Sequence, residues 1–344
     1  MAKKLKWGII GCGGIADRRT LPGMMLTNNC ECYAVMDTNA ALAEQVKNKY
    51  GAKYAFTSEA DVLSLDEVDA VYIASPVFCH KAQALAAAKA GKHILLEKPL
   101  GLTVADSEEI IEACKSAGVK LGVGFMMRYH AYHQAMKEVI ASGKIGDIVS
   151  MRAQFTCWYP EIEGAWRQNK ALSGGGALID LGVHCIDLLM YISGLSAEEC
   201  MGYAQTQTFK YNVDDSASLI MKMDNGALAY VDVNFNMPDS SAKCPLEFYG
   251  TKGSMIAVGT LSQEEGGSVE ILACPEETGY DAQQSRSLVE PVSLDVEFGN
   301  MYTKELEAFA NAVINDTEPP VNGENTLLVQ KVIESIYTSN GGKL

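Results

Sequence analysis

The sequence predicts two domains, a doubly wound parallel α/β sheet followed by a mostly antiparallel α+β domain. With 344 residues, the chain is longer than the roughly 250 to 300 residues over which a single hydrophobic core keeps growing. Its first third alternates short apolar runs with amphipathic stretches, the pattern of strand–helix units in a parallel sheet. Beyond Phe125, period-two alternation becomes prominent. We therefore expect domains at residues 1–125 and 126–344.

The first domain is expected to contain five strands joined by four helices. Each predicted strand is a short apolar run, and each predicted helix has apolar residues at helical spacing. Gly91 and Gly118 directly follow two of the predicted helices, at the position where glycine commonly ends a helix. The expected strands are residues 6–10, 31–36, 70–74, 93–96 and 119–123, and the expected helices are residues 15–26, 40–50, 78–90 and 104–117.

The second domain is expected to begin with a helix and continue into β-prone segments. Residues 227–235 show the clearest signal, because Ala227, Ala229, Val231 and Val233 share one face of an extended chain. The other expected strands are residues 149–157, 216–223, 246–249, 254–258, 269–273 and 289–294, and the expected helices are residues 129–141, 301–314 and 324–338.

Composition and charge exclude several classes of function. The formal net charge is −15 and no basic cluster is longer than Lys3-Lys4, so a nucleic-acid partner is not expected. No apolar run has the length of a transmembrane span, and the run up to Ile10 is too short for a signal peptide. The ten cysteines form no CxxC pair or zinc-site spacing. We expect a cytoplasmic protein with reduced thiols and no membrane partner.

A glycine turn between the first strand and the first helix predicts a dinucleotide site. Residues 11–16 read Gly-Cys-Gly-Gly-Ile-Ala and match GxGxxA. In this Rossmann-type context Gly11 permits the tight turn, Gly13 lets a pyrophosphate approach the backbone, and Ala16 allows close helix packing. The amides of the helix start, near Gly14 and Ile15, favour phosphate groups.

Asp37, at the end of the second strand, indicates which dinucleotide is bound. A carboxylate about twenty residues beyond the glycine turn can accept hydrogen bonds from the adenosine ribose, and it would repel a 2′-phosphate. Thr38 and Asn39 supply no compensating positive charge. We therefore expect NAD rather than NADP. A second interpretation, compatible with the first, is that Asp37 caps the helix that starts near Ala40.

A further candidate site lies in an apolar helical segment of the second domain. Asp180 and His184 are four residues apart and share one helix face with Asp187. Because a buried ionised group requires a partner, Asp180 and His184 are expected to satisfy each other or to face a cavity. The arrangement predicts an acid/base dyad. A metal site formed by the three side chains is an alternative, although no other ligand cluster is evident.

Two pairs of polar residues have competing interpretations. His130 and His133 could bind a metal or line a cleft, but we expect partly exposed polar residues of a helix. Arg128 and Arg167 could hold the hydroxyl groups of cofactor or substrate, or they could form ion pairs that brace the interdomain helix.

Three aromatic residues precede the glycine triplet at residues 174–176. Trp158, Tyr159 and Trp166 could stack on a sugar ring, as aromatic side chains commonly do, or pack in the core. The triplet itself predicts a place where the backbone approaches cofactor or substrate more closely than a β-carbon would allow.

Taken together, the motifs resemble those of the Gfo/Idh/MocA oxidoreductases, and the resemblance covers nearly the whole chain. The matching residues are Gly11, Gly13 and Ala16; Ser75, Pro76 and His80; Glu97-Lys98-Pro99; Gly124, Phe125 and Arg128; Trp166-Arg167; Gly174–Gly176, Leu178, Asp180, Gly182, His184 and Asp187; and Asp214-Asp215-Ser216.

The resemblance implies that an open-faced antiparallel sheet follows the nucleotide domain along the chain, and that substrate binds between the two. It implies a catalytic set of Lys98, Asp180 and His184. It also implies cofactor contacts from the first domain and Arg167, and substrate contacts around the catalytic set. The expected cofactor contacts are Gly11, Gly13, Gly14, Ile15, Asp37, Ser75, Pro76, His80, Glu97, Lys98 and Arg167, and the expected substrate contacts are Lys98, Arg128, Tyr159, Trp166, Asp180 and His184.

The expected reaction is hydride transfer between NAD and a secondary ring hydroxyl of a sugar, glycoside or inositol. An imidazole suits the accompanying proton transfer, so we assign His184 as the base, Asp180 as its orienting partner and Lys98 as the donor to the substrate oxygen. Lys98 as the terminal base is an alternative. A redox-assisted glycosidase and a catalytically silent nucleotide sensor are alternative functions. An exposed sheet face favours a homodimer or homotetramer.

Overall fold

The computed structural model describes residues 4–274, 282 and 289–339. Within these residues the chain forms a six-stranded parallel sheet and an eight-stranded, mostly antiparallel sheet, which confirms the predicted fold class. The first sheet has the order β3-β2-β1-β4-β5-β6. Its strands are β1 (Leu5–Ile10), β2 (Cys30–Met36), β3 (Tyr54–Phe56), β4 (Ala70–Ile73), β5 (His93–Glu97) and β6 (Leu121–Gly124).

The helices of the first domain begin and end where the sequence supplies capping residues. Asn39 and Thr103 accept backbone amides at two helix starts, and Gly51 and Gly118 adopt left-handed conformations at the corresponding ends. Gly91 is also left-handed, two residues beyond the end of a helix. The helices are α1 (Leu21–Met24), which continues a π-helical turn (Ala16–Thr20), α2 (Ala40–Tyr50), α3 (Glu59–Leu63), α4 (Val77–Lys89) and α5 (Val104–Ala117).

The second sheet has the order β14-β13-β12-β11-β7-β10-β9-β8. Strands β7 and β10 pair in parallel, whereas the other neighbouring strands are antiparallel. The strands are β7 (Ile148–Thr156), β8 (Ala197–Gln205), β9 (Ser216–Met223), β10 (Leu228–Asn234), β11 (Leu246–Gly250), β12 (Gly253–Val258), β13 (Ser268–Ala273) and β14 (Val292–Ser293).

Four of the described strands and α-helices are missing from the sequence prediction. β3, α3 and the four-residue helix Lys170–Ser173 are too short to show a periodic pattern. β8 has no fully buried residue, so it lacks the apolar alternation that reveals a strand. The strand expected at residues 289–294 is reduced to the two residues of β14, which pair with β13.

The helices of the second half connect its sheet to the first domain. The helix expected from Tyr129 begins at Ala131, because residues 126–129 form a 3₁₀ turn and His130 caps the helix. The helices are α6 (Ala131–Ala141), α7 (Lys170–Ser173), α8 (Val183–Ser193), which follows a π-helical turn (Leu178–Gly182), α9 (Met301–Ile314) and α10 (Gly323–Ser339).

Helix α9 returns to the parallel sheet of the first domain. The rings of Trp7 on β1 and Phe309 on α9 have centroids 5.4 Å apart, and Leu306 and Ala310 belong to the same buried cluster. The final third of the chain thus supplies part of the core beneath the first sheet.

The apolar segment Lys170–Ser193 passes a composition and length test for a membrane-spanning helix. However, 89% of its apolar window is buried inside the protein. The segment is therefore part of the protein core, as its nearly all-round apolar pattern predicts.

Candidate active site

The glycine turn after β1 forms an open cradle. Gly11 has φ +95°, and an added β-carbon would lie 2.9 Å from the backbone of Ala74 and Ser75, so a side chain is not tolerated there. In contrast, no described atom lies within 4 Å of a β-carbon built on Gly13 or Gly14. The space above these two residues is therefore available, and the exposed backbone fits the pyrophosphate of a dinucleotide.

Asp37 lies at the edge of this cradle and is already partly hydrogen-bonded. One carboxylate oxygen accepts the Cys12 amide at 3.0 Å, and the other accepts the Asn39 amide at 2.9 Å. The cap of α2 is Asn39, which accepts amides of Ala41 and Leu42. The expectation that Asp37 caps this helix is therefore wrong, because its oxygens brace the glycine turn and the residue before the helix.

A cleft of about 750 Å³ runs from the cradle to the second sheet. All but one of the site residues expected from the sequence line it. Arg18, Gln263 and Tyr302 also line it, and the sequence analysis missed them because they lie in no recognised motif. The expected residues that line the cleft are Gly11, Gly13, Gly14, Ile15, Asp37, Ser75, Pro76, His80, Glu97, Lys98, Tyr159, Trp166, Arg167, Asp180 and His184.

Lys98 and Asp180 come together across the two domains. The Lys98 ammonium donates to the Asp180 carboxylate and to its backbone carbonyl, both at 2.8 Å. The Arg167 Nε lies 3.9 Å from the same carboxylate oxygen. Burial opposes ionisation of Asp180, but the two cations outweigh it and hold the carboxyl pKa well below its ordinary value. Asp180 is therefore an anion at neutral pH, and it orients the Lys98 ammonium at the cleft.

His80 supports the turn that carries Lys98. Its two ring nitrogens lie 2.9 Å from the Pro99 carbonyl and 3.0 Å from the Ser75 carbonyl. Burial is the main cause that lowers the pKa of His80 to about 4, against the effect of these carbonyls. A neutral His80 has one N–H, so it donates to one of these two carbonyls, while its ring packs between the segments that follow β4 and β5.

His184 is held by packing rather than by an acidic partner. Its ring makes edge contacts with Phe125 and Phe155, with centroids 5.9 and 6.3 Å away. Its buried Nδ1 has no hydrogen-bond partner among the described residues. Burial, followed by the charge of Lys98, lowers the pKa of His184 well below its ordinary value, against the opposing effect of Asp180. The ring is therefore neutral at neutral pH.

The hydrogen bond expected between Asp180 and His184 is not found among the described residues. The carboxylate faces Lys98 instead, because the ammonium provides a charged donor that a neutral imidazole cannot match. Both side chains do line the cleft, which was the other expected way to accommodate them.

Arg128 lies apart from the cleft lining described above. Its guanidinium donates to both Asp187 oxygens, at 2.9 and 3.0 Å from Nε and 2.5 Å from Nη2, and to Asn325 at 3.3 Å. The side chains of Arg128 and Asp187 are 9% and 1% exposed. Arg128 therefore forms a bracing ion pair with Asp187, and the expected contact between Arg128 and substrate is not supported. Because Arg128 engages Asp187, the three-ligand metal arrangement with Asp180 and His184 is not assembled.

His130 and His133 are buried, so the expectation of partly exposed helix residues is wrong. His133 lies 2.7 Å from the Met127 carbonyl and 3.0 Å from the Thr260 hydroxyl. The Nδ1 and Nε2 atoms of His130 lie 3.1 Å from the Tyr132 amide and 3.2 Å from the Gly266 amide, and a neutral ring accepts a hydrogen bond from one of the two. Burial lowers their pKa values to about 4 for His130 and about 3 for His133. Both are neutral structural residues beneath a loop of the second sheet.

The glycine triplet packs against protein rather than facing the cleft. A β-carbon on Gly175 would lie 2.0 Å from the Tyr337 hydroxyl, and one on Gly176 would lie 1.9 Å from the Asp214 carbonyl. The Asp214 carboxylate accepts the amides of Gly176 and Leu178 and the hydroxyl of Tyr337. The expected approach to cofactor or substrate is therefore wrong. These glycines let Asp214 anchor the turn that carries Asp180.

The three aromatic residues divide between the cleft and the surface. Tyr159 and Trp166 line the cleft, and Arg167 stacks over the Trp166 ring at 4.4 Å. Trp158 is 46% exposed and packs edge-on against Phe209. Tyr159 and Trp166 are therefore the two that can contact a ligand in the cleft.

The fold and the cleft define a dinucleotide-binding oxidoreductase class, and comparison with known proteins agrees. Residues 5–125 match the oxidoreductase family with an NAD-binding Rossmann fold, and residues 133–256 match the GFO/IDH/MocA C-terminal domain. The chain belongs to the Gfo/Idh/MocA family, as the resemblance predicts.

Several similar proteins are named as sugar oxidoreductases. The chain is 29% identical to 1,5-anhydro-D-fructose reductase of Ensifer adhaerens, covering 93% of this chain and 91% of that protein. It is 28% identical to the D-xylose 1-dehydrogenase (NADP(+)) 2 of Haloferax volcanii, covering 97% of both. The aldose-aldose oxidoreductase of Caulobacter crescentus has the same fold, with a TM-score of 0.88 at 24% identity and 98% coverage of both chains.

Proposed function

We propose that the protein transfers a hydride between NAD and a secondary ring hydroxyl of a sugar, glycoside or inositol. One observation carries this proposal. The charged Lys98–Asp180 pair and the neutral His184 meet in a single cleft that begins at the open glycine cradle. A charged donor and a proton acceptor next to a dinucleotide site are what oxidation of an alcohol requires.

The residues of the cleft have separate roles in this reaction. In the oxidation direction the neutral His184 accepts the hydroxyl proton, while Lys98 donates a hydrogen bond to the same oxygen and stabilises its developing negative charge. Asp180 holds the Lys98 ammonium in place through the 2.8 Å contact. When bound, the nicotinamide supplies the hydride acceptor. In the reduction direction His184 returns the proton.

We infer a preference for NAD from the edge of the cradle. Asp37 presents a carboxylate where the adenosine ribose would lie, next to the uncharged Thr38. A 2′-phosphate placed there would meet negative charge. Arg18, which lines the same cleft and donates to the Gly14 carbonyl at 3.2 Å, is a candidate contact for the phosphates. One relative is named for NADP(+), so the two cofactors need direct comparison.

A small carbohydrate or polyol is the proposed substrate. Two relatives are named for sugar substrates, and Tyr159 and Trp166 supply aromatic surfaces in the cleft that suit a sugar ring. Arg167 lies between Trp166 and Asp180, where its guanidinium can donate to a hydroxyl or to the cofactor.

A panel of polyols, aldoses and glycosides with NAD or NADP tests the function. We expect NADH formation from at least one substrate, with NAD favoured over NADP, and a loss of about 100-fold or more in kcat for His184→Ala. Sugar release without net NADH would instead indicate a redox-assisted glycosidase. Full turnover by His184→Ala would show that another group, with Lys98 the first candidate, is the base.

We also propose that the chain acts as a cytoplasmic homodimer or homotetramer. The outer face of the second sheet exposes Met201 and Tyr203 at 70% and 75% and carries a depression of about 890 Å³. An apolar sheet face of this kind is suited to pairing with a second copy. Multi-angle light scattering tests this. Tyr203→Glu is expected to lower the molar mass toward that of the monomer. A monomeric wild type would contradict the proposal.

A further inference from the structure

A loop of the second sheet reaches back to the nucleotide end of the cleft. Residues 259–267 connect β12 to β13, and the glycines at the two ends have φ values of +73° and +87°. A β-carbon on Gly267 would lie 2.4 Å from the Val258 carbonyl. The segment is therefore folded back tightly at its base, and we call it the strap.

The base of the strap is fixed by buried polar contacts. The Glu265 side chain, only 1% exposed, accepts the Lys304 ammonium at 2.8 Å, the Ala131 amide at 2.9 Å and the Gly299 amide. Burial alone would raise the Glu265 pKa, but these donors lower it, so the side chain is an anion. His133 and His130 hold Thr260 and Gly266. The strap is thus anchored on α6 and α9.

The tip of the strap lies against the glycine cradle. Gln263 lines the same cleft as Gly13 and Gly14. Arg19, on the π-helical turn just after the cradle, donates to the Glu264 carboxylate at 2.6 Å and to the side-chain amide oxygen Oε1 of Gln263 at 3.4 Å. The second sheet and the cradle are therefore joined directly at the place where a dinucleotide would lie.

We propose that the strap retains the bound dinucleotide, with Gln263 contacting it and the Arg19–Glu264 ion pair acting as a latch whose opening sets the rate of cofactor release. The proposal rests on the proposed function, because it takes the cleft to bind NAD(H). It assigns a cofactor contact to the second half of the chain, far from the glycine turn in sequence.

The latch is suited to opening. Arg19 and Glu264 are 32% and 71% exposed, whereas Glu265 at the base is buried. A solvent-exposed ion pair changes an equilibrium by no more than about five-fold, and salt weakens it further. The strap therefore has a buried base and a solvent-exposed tip whose ion pair costs little to break.

The off-rate of NADH from the full-length protein tests the latch. NADH fluorescence is followed by stopped flow after mixing with excess NAD. We expect Glu264→Gln to raise the off-rate about three- to five-fold at low salt and to weaken its rise between about 10 and 500 mM NaCl. Glu318→Gln is the matched control, because Glu318 is 72% exposed and pairs with Lys120 at 3.2 Å. It should leave both quantities unchanged.

A charge exchange separates the latch from a merely structural role. Glu264→Arg should raise the off-rate further than Glu264→Gln, and adding Arg19→Glu should bring it back toward the wild-type value. Unchanged off-rates in both Glu264 variants, with NADH still bound, would overturn the strap while leaving the proposed function intact. A wild type that binds no NADH would overturn the proposed function and the strap with it.

Discussion

Two ion pairs, whose acids lie on one helical segment, differ in their exposure to solvent. Asp180 pairs with Lys98, and Asp187, seven residues further on, pairs with Arg128. In each pair the cation follows a strand of the first sheet, and the acid lies on the apolar helical segment within the second domain. The side chains of Lys98 and Asp180 are 15% and 29% exposed at the cleft, but those of Arg128 and Asp187 are 9% and 1% exposed. Access to the cleft, not residue type, distinguishes the proposed catalytic pair from the structural one.

Removing the cation of the sealed pair is expected to have the largest effect on stability. Arg128→Met leaves the Asp187 carboxylate buried without its partner, which costs about 3 to 5 kcal/mol in the free energy of unfolding. Urea unfolding of both proteins measures the difference. The molecules that remain folded should keep wild-type NADH affinity. A stable but inactive Arg128→Met would break the comparison by making Arg128 part of the site.

Removing the cation of the cleft pair should affect turnover instead. Lys98→Met removes the donor to the substrate oxygen, so kcat is expected to fall about 100- to 1,000-fold. Because Lys98 and Asp180 are partly exposed, water can replace the lost contact, and the melting temperature should change little. Steady-state kinetics and calorimetry on the same preparation check both parts. Near-normal turnover would show that the cleft pair is also structural.

Three buried histidines are expected to make the free energy of unfolding depend on pH. The pKa values of His80, His130 and His133 are lowered to about 4, 4 and 3, so below about pH 6.5 the unfolded chain binds protons that the folded chain does not. Stability is therefore present above pH 6.5 and falls as the pH decreases toward 4. We expect a loss of about 2 kcal/mol per histidine between pH 7 and pH 5.

Urea unfolding across this pH range provides the measurement, and His133→Gln provides the matched variant. Glutamine can still hydrogen-bond to Thr260 but does not titrate, so the variant should show a shallower pH dependence by about one proton. A pH dependence identical to that of the wild type would contradict a neutral buried His133.

The sequence revealed most of the positions in the cleft but not their partners. Lys98 and Asp180 could be named from motifs, yet their contact spans 82 residues and depends on how the two sheets pack. From the sequence alone, a pair of Asp180 with His184 is the natural expectation, because helix spacing can be read from a sequence and a contact with a distant lysine cannot.

Arg128 and the glycine triplet show a second limit of the sequence. A polar residue after a strand can turn toward the cleft or away from it, and only packing decides, as the Asp187 pair shows. Likewise, a sequence indicates that a β-carbon is excluded at Gly176 but not that the Asp214 backbone fills the space. Gln263 and Tyr302 reach the cleft from elements without any site motif.

The central claim is tested most directly by making one isosteric substitution at both acids, Asp180→Asn and Asp187→Asn, and measuring kcat per folded molecule together with the melting temperature. Asp180→Asn should lower kcat by about 100-fold or more, because Lys98 loses its charged partner, with little change in melting temperature. Asp187→Asn should lower the melting temperature by several degrees and leave kcat within about three-fold. Equal losses of turnover in the two variants would contradict the division between a catalytic and a structural pair.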